Sequence, residues 1–269
     1  MHIDAHHHVW RVARGDYAWM SPDLPIARDY GLDDLRPLLG PITATILVQA
    51  AATEAETDFM LAVARASNGL VRGVVGWIDL AASDAPARIA ARASDPLLRG
   101  LRPMLQDIDD TTWILRPEVQ PALTAMAAHG VRFDALIKPR HLPIIGKLAE
   151  QHPTLSVVID HAAKPDIAHH GFQPWAAGIA RLARDTQWCC KLSGLVTEAA
   201  AGWQPDDLRR YTDHLLAEFG PARLMWGSDW PVLNLAGGYA RWREATLALI
   251  PEAAHDAVLG ETAARFYGL

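Results

Sequence analysis

The sequence has very few cysteines and no long apolar run. Only two of its 269 residues are cysteines, Cys189 and Cys190, and adjacent cysteines pair only through a strained ring, which excludes a disulfide framework. No apolar run approaches the roughly 18 residues that a membrane-spanning helix needs. The first residues, Met1–Asp4, lack the basic-then-apolar pattern of a signal peptide. We therefore expect a cytoplasmic protein.

The chain also has no excess of positive charge. Its 25 Lys and Arg residues are outnumbered by 31 Asp and Glu residues, which gives a formal net charge of −6, and no basic cluster is longer than Arg209–Arg210. Nucleic acids and anionic membranes attract proteins through clustered Lys and Arg. We therefore expect neither as a partner, whereas a homo-oligomer remains compatible with this composition.

Several motifs of common catalytic classes are missing. The sequence contains no Gly-x-Ser-x-Gly elbow, no GxxxxGK[S/T] phosphate loop, no HExxH helix and no paired CxxC. These absences argue against serine hydrolases of the α/β type, P-loop proteins, zincins and zinc ribbons.

What the sequence does contain is a regular alternation of apolar and helical segments. Eight short apolar segments predict strands at 2–5, 44–48, 72–78, 98–101, 131–137, 155–159, 188–192 and 224–227. Segments with helical spacing lie between them, as after the capping box of Thr53 and Glu56. This alternation predicts a (β/α)8 TIM barrel that forms a single domain over residues 1–269. A doubly wound sheet is disfavoured because no glycine-rich loop follows the first strand.

In such a barrel, polar side chains at the C-terminal ends of the strands meet at one mouth. The predicted strands deliver the following residues there: His6, His8, Arg102, Lys138, Asp160, His161, Lys191, Ser193, Ser228 and Asp229. This set is rich in metal-ligating and acid–base groups, so the mouth is the expected functional site.

Four of these residues predict acid–base or metal chemistry. His6 and His8 are two positions apart, so on a strand both imidazoles point the same way, opposite to His7, and can hold one cation. Asp229 ends the last strand, where its carboxylate can bind metal, accept a proton from water, or do both; a structural hydrogen bond is the alternative. His161 can act as a ligand or as a donor to a developing oxyanion.

Other residues near the strand ends are candidates for substrate binding. The planar guanidinium group of Arg102 can donate paired hydrogen bonds to a carboxylate or to hydroxyl groups. Lys138 and Lys191 either point into the mouth or neutralise a buried carboxylate. Four of the ten tryptophans, including Trp226, lie near strand ends, and three of them are the candidates to stack on a sugar, with core packing as the alternative: Trp10, Trp77 and Trp230.

The sequence resembles the amidohydrolase superfamily, in the branch called amidohydrolase-related. The resemblance rests on His6-x-His8, on His161 within Asp160–Pro165, and on Gly227–Pro231, and it extends over nearly the whole chain. Several of its segments, including Cys190–Ala199, are similar to those of sugar-lactone hydrolases. The resemblance implies hydrolysis of a small-molecule aldonolactone, with Asp229 as general base and His6, His8 and His161 around the carbonyl.

The chain departs from the better-known amidohydrolases at strand five. That strand leads to Lys138, where those enzymes carry a metal ligand. The resemblance therefore implies at most one divalent ion, with zinc as the expected one, held by His6, His8 and Asp229, or a reaction without metal.

Two other functions are compatible with the sequence. A metal-dependent decarboxylase of an aromatic or muconate-type acid would need a firmly held cation and a further catalytic histidine. A non-catalytic sugar-binding module would keep the tryptophans without any need for His6, His8 and Asp229 to converge.

Overall fold

The computed structural model describes all 269 residues and shows eight parallel strands rolled into a nearly closed barrel. The strands are β1 (His2–His7), β2 (Ile42–Val48), β3 (Val71–Gly76), β4 (Leu98–Leu101), β5 (Arg132–Ala135), β6 (Val157–Ile159), β7 (Cys189–Leu192) and β8 (Leu224–Trp226), paired in sequence order. The ring closes where the His8 amide donates to the Trp230 carbonyl at 2.7 Å and the Asp229 amide donates to the His6 carbonyl at 2.7 Å. The predicted (β/α)8 barrel is thus confirmed.

Helices cover the outside of the barrel. They are α1 (Leu32–Leu35), α2 (Glu54–Arg65), α3 (Ala85–Arg92), α4 (Gln120–Ala128), α5 (Leu142–Gln151), α6 (Trp175–Asp185), α7 (Pro205–Phe219), α8 (Tyr239–Leu249) and α9 (Thr262–Tyr267). The predicted cap of α2 is present, because Thr53 Oγ1 accepts the Glu56 amide at 3.1 Å. None of these helices combines the length and apolar character needed to cross a bilayer.

The third strand is shorter than the sequence pattern predicts. The apolar run extends to Ile78, but β3 ends at Gly76. The Trp77 amide leaves the sheet because it donates to Thr57 Oγ1 on α2, at 2.9 Å. A side chain at residue 76 would meet Thr57 at 2.5 Å, so this close approach requires glycine.

The interior of the barrel is a small apolar core closed from below by α9. Its members are Ile3, Ala5, Ala44, Ile46, Val48, Val75, Val158, Cys189, Met225, Ala263 and Tyr267. Ala263 and Tyr267 come from α9, which the sequence pattern does not predict. Cys189 and Cys190 are both free and buried, in agreement with a packing role.

The alternation of inward-facing and outward-facing side chains along β1 shifts by one residue near the end of the strand. Ile3 and Ala5 face the barrel core, so uninterrupted alternation would also point His7 inward. The pairing of β1 with β2 is irregular between Asp4 and His7, and this shift turns His6 and His8 toward the site instead. His7 contacts Thr45 Oγ1 at 2.9 Å, away from them.

Candidate active site

Three histidines surround one carboxylate at the C-terminal end of the barrel. Asp229 Oδ1 lies 3.2 Å from His8 Nε2, 3.6 Å from His6 Nε2 and 3.9 Å from His161 Nε2. All four side chains are almost completely buried. The structure thus brings together the four residues that the sequence singled out for acid–base or metal chemistry.

The hydrogen bonds of His8 leave it ready to bind a cation. Its Nδ1 lies 2.8 Å from the Val48 carbonyl, which only accepts, so Nδ1 carries the proton. In the neutral ring, Nε2 then turns a lone pair toward Asp229 Oδ1. Two acceptors at this distance need a proton or a metal ion between them. The ligand atoms of His6, His161 and Asp229 lie within 4.8 Å of one another, and a set of imidazoles and a carboxylate suits zinc, so these residues fit a divalent ion.

Asp229 is ionised at neutral pH. Burial raises the pKa of its carboxyl group, but His161, His8 and His6 outweigh that effect and hold the pKa well below its usual range. Burial in turn lowers the pKa of His161 to about 4. At pH 7 a carboxylate therefore faces a neutral imidazole, which is the state needed for a general base beside a hydrogen-bonding partner.

His161 lies in a left-handed turn of four consecutive residues. The φ angles of His161, Ala162, Ala163 and Lys164 are 51°, 50°, 59° and 54°, a conformation that costs roughly 1–2 kcal/mol per residue when a Cβ is present. The turn is held by the Trp175 indole, which donates to the Ala162 carbonyl at 2.7 Å. The imidazole ring of His161 is oriented by Ser193, whose Oγ lies 2.8 Å from His161 Nδ1.

Gly194 allows His161 to take this position. Its φ of 63° is unfavourable for other residues, and a Cβ would lie 2.6 Å from His161 Nδ1. We expect Gly194→Ala to displace the imidazole and reduce kcat by about 10-fold or more, as for a misplaced catalytic group. Circular dichroism and steady-state kinetics measure this. Unchanged kcat in a folded variant would show that the position of His161 is not critical.

A layer of buried charges lies directly beneath the three histidines. Arg102 Nη1 contacts Asp160 Oδ2 at 3.2 Å and His6 Nε2 at 3.3 Å, and its Nη2 donates to the Gln49 carbonyl.

Lys191 Nζ lies 2.5 Å from Asp134 and 3.0 Å from Asp160. Of the two roles that the sequence allows for Lys191, the structure favours neutralisation of buried carboxylates. The prediction that it contacts substrate is wrong, because it is fully buried below the site.

A cavity of about 300 Å³ opens above Asp229. It is lined by His8, Trp19, Leu24, Ala50, Arg102, Met104, Gln106, Asp107, Leu136, His161, Lys164, Asp229, Val232 and Leu235. His6 is not in the lining and sits behind Asp229. Arg102 does line the cavity, and its role in reading the substrate stays a prediction.

The other predicted substrate contacts do not reach this cavity. Lys138 and Trp77 are absent from its lining, since the chain turns away after β3 and β5. Trp10 and Trp230 are fully buried and pack on either side of Tyr30. The predicted stacking role is therefore corrected: Trp10 and Trp230 pack in the core, which was the alternative, and the half-buried Trp77 lies outside the cavity lining.

Sequence reasoning missed Trp19, the tryptophan that does line the cavity. Its ring is 41% exposed, and its indole N–H donates to the Ala50 carbonyl at 2.8 Å. Trp19 lies in a long loop after β1, far from any strand end, so a search limited to strand ends passes over it. Gln106 and Asp107, in the loop after β4, were missed for the same reason, and Lys164 lies in the Asp160–Pro165 segment but was given no role.

Glu56 is a buried acid whose hydrogen bonds position the backbone at Ala50, a residue of the cavity lining. From α2 it accepts the Ala50 amide at 3.0 Å and the Ala51 amide at 2.7 Å. Burial raises its pKa to about 7, despite these hydrogen bonds.

The raised pKa of Glu56 predicts a specific pH dependence. The folded state takes up a proton between the ordinary pKa of 4.5 and about 7, so the contribution of Glu56 to stability falls as the pH rises through this range. We expect the wild type to lose stability relative to Glu56→Gln between pH 5 and 8. Urea unfolding of both proteins across that range measures the difference, and a constant difference would contradict the raised pKa.

Comparison with known proteins identifies the family. The amidohydrolase family profile matches residues 3–269, so the chain belongs to this family. An L-fucono-1,5-lactonase of Burkholderia ambifaria is 47% identical over 89% of this chain and 84% of its own length. An L-fucono-1,5-lactonase of Burkholderia multivorans is 37% identical over 100% of this chain and 96% of its own. The crystal structure of a Burkholderia multivorans amidohydrolase with bound zinc matches with a TM-score of 0.92 and 36% identity, covering 100% of this chain and 99% of that one.

Proposed function

We propose that this member of the amidohydrolase family opens the ring ester of a neutral aldonolactone, with L-fucono-1,5-lactone as the first substrate to test. The observation that carries the proposal is the Asp229 carboxylate, which faces three histidines and lines a cavity of about 300 Å³. The names of the two lactonase relatives support the substrate class.

Asp229 acts as the general base in this proposal. Its carboxylate takes a proton from a water molecule while the water oxygen attacks the lactone carbonyl carbon. The developing oxyanion accepts hydrogen bonds from Arg102 or His161, both of which line the cavity. As the intermediate collapses, the ester bond breaks and Asp229 returns its proton to the departing ring oxygen. The product is an open-chain hydroxy acid, which ionises and releases one proton to solution.

One divalent metal ion fits this site, and zinc is the proposed one. His6 and Asp229 would hold it together with His161, since the ligand atoms of these three lie within 4.8 Å of one another, and His8, the ligand expected from the sequence, is adjacent with its Nε2 3.2 Å from Asp229. Such an ion supplies Lewis-acid polarisation of the carbonyl and acidifies a bound water. The zinc in the solved relative supports its identity.

The cavity favours neutral substrates over carboxylated ones. Its two permanent cations are already paired, Arg102 with Asp160 at 3.2 Å and Lys164 with Glu198 at 3.4 Å. Asp107 and Asp229 add negative charge to the wall. A substrate carboxylate would therefore find no free cationic side chain, which argues against the decarboxylase alternative and against lactones that carry acid groups.

A lactone panel tests the proposed function. Proton release is followed with neutral aldonolactones, with carboxylated lactones and with aromatic acids, before and after treatment with a chelator. We expect turnover of the neutral lactones alone, and a loss of rate on chelation that added zinc restores. Faster turnover of a carboxylated lactone, or carbon dioxide release from an aromatic acid, would contradict the proposal.

Arg102 gives a sharper test of the mechanism. The Arg102→Met variant keeps the apolar stem but loses the donors. If Arg102 stabilises the oxyanion, kcat falls by about 100-fold while KM changes little, because only the transition state gains from the contact. A raised KM with unchanged kcat would instead assign Arg102 to ground-state binding. The kcat is normalised to the folded fraction, since the variant also leaves Asp160 with one cation fewer.

A further inference from the structure

Lys164 is a cation of the cavity wall for which the proposed reaction has no use. It ends the left-handed turn that begins at His161, and it lines the cavity above Asp229. Its one ion pair is with Glu198, whose Oε1 lies 3.4 Å from Lys164 Nζ. Glu198 itself is absent from the cavity lining. The positive charge that Lys164 brings to the wall is therefore balanced by a carboxylate that lies outside the cavity.

The backbone around Glu198 is held in place without the ion pair. Glu198 lies in the loop between β7 and α7, where its amide donates to the Leu195 carbonyl at 3.2 Å. Its carbonyl accepts the Ala168 amide at 2.9 Å, from the loop after β6 that also carries Lys164. Both charged side chains are about a quarter exposed, so their pair adds little to stability. The carboxylate of Glu198 can therefore be replaced without displacing either loop.

The proposed reaction turns a neutral ligand into an anion inside this cavity. The lactone carries no charge, whereas the open-chain product carries a carboxylate. In a cavity of about 300 Å³ the new carboxylate lies close to every charged group of the wall. An unpaired ammonium group there would attract the product more than the substrate, because Coulomb attraction acts only on the charged ligand. It would also attract lactones that carry acid groups.

We propose that Glu198 is a specificity-determining residue, which pairs with Lys164 and thereby makes the cavity select neutral lactones and release the anionic product. This role rests on the proposed lactonase function. Glu198 acts from outside the cavity, so it needs no contact with the ligand. Without its carboxylate, the wall gains one unit of positive charge whatever occupies the metal position. Lys164 is then free to hold a ligand carboxylate.

The test compares Glu198→Gln with Glu118→Gln in zinc-loaded protein. Glu118 is a matched control because it also pairs with a cation, Arg116 at 3.9 Å, but neither residue lines the cavity. Isothermal titration calorimetry uses two probes, the product anion L-fuconate and the uncharged polyol L-fucitol. We expect Glu198→Gln to lower the Kd of L-fuconate by about 5-fold or more, while that of L-fucitol stays within about twofold. Glu118→Gln should change neither Kd more than about twofold.

A second variant shows whether Lys164 carries the effect. Adding Lys164→Met to Glu198→Gln should return the Kd of L-fuconate to within about twofold of the wild-type value. A persistent gain in the double variant, an equal gain for L-fucitol, or no gain for L-fuconate would overturn the role of Glu198.

Kinetics separate this role from the proposed function. In Glu198→Gln, L-fuconate should inhibit lactone opening at about 5-fold lower concentration, with the initial kcat/KM within about twofold of the wild type. Tighter L-fuconate binding in a protein that opens no lactone would overturn the proposed function and support the pairing role of Glu198. Lactone opening with unchanged inhibition by L-fuconate would overturn the role of Glu198 and leave the proposed function standing.

Discussion

Replacing Asp229 with asparagine should lower kcat by about 10²–10⁴-fold, the typical contribution of a general base. The amide has nearly the same shape as the carboxylate but cannot take a proton from water at neutral pH. Lactone binding should change little, because the cavity wall keeps its form. Initial rates over a range of lactone concentrations measure both constants.

The same substitution removes a charge from among three buried histidines. His8 keeps its Val48 partner and His161 its Ser193 partner, so the rings should stay in place. Bound zinc is measured in parallel, since Asp229 is also a proposed ligand. A variant within tenfold of the wild-type kcat would eliminate Asp229 as the base.

The second large effect concerns stability. Lys191→Met should cost about 3–5 kcal/mol of unfolding free energy, because it leaves Asp134 and Asp160 buried without their shared ammonium group. Methionine fills the space of the lysine stem, so a cavity is not the cause. Urea unfolding at pH 7 measures the loss.

Lys138→Met is the matched control for Lys191→Met. Lys138 is half-buried, lies outside the cavity lining and has no ion pair, so its replacement should stay within about 0.5 kcal/mol of the wild type. If the two variants were equally stable, the charges beneath the histidines would not depend on Lys191.

The sequence predicted the barrel because the repeated alternation of strand and helix is a local signal. The strand positions agree with the structure to within about two residues, and at the end of β3 the difference arises from a tertiary contact, that of Trp77 with Thr57. Helix α9 escaped prediction because its buried residues, Ala263 and Tyr267, face a barrel interior that exists only once the sheet has closed.

The chemistry of the site was partly visible in the sequence for a similar reason. His6, His8, His161 and Asp229 all follow strands, and strand ends converge in any barrel. The phase shift in β1 and the left-handed turn at His161 depend on contacts between distant segments, such as that of Trp175 with Ala162. Asp134 is missing from the predicted set because one buried acid within a strand has no sequence pattern that marks it.

The rate at which the purified protein opens L-fucono-1,5-lactone, compared with spontaneous ring opening in the same buffer, tests the central proposal most directly. The proposal predicts proton release that is proportional to protein concentration, saturates with lactone and falls by about 100-fold or more in Asp229→Asn. Proton release no faster than the spontaneous rate, from this and every other neutral aldonolactone, by folded zinc-loaded protein would contradict it.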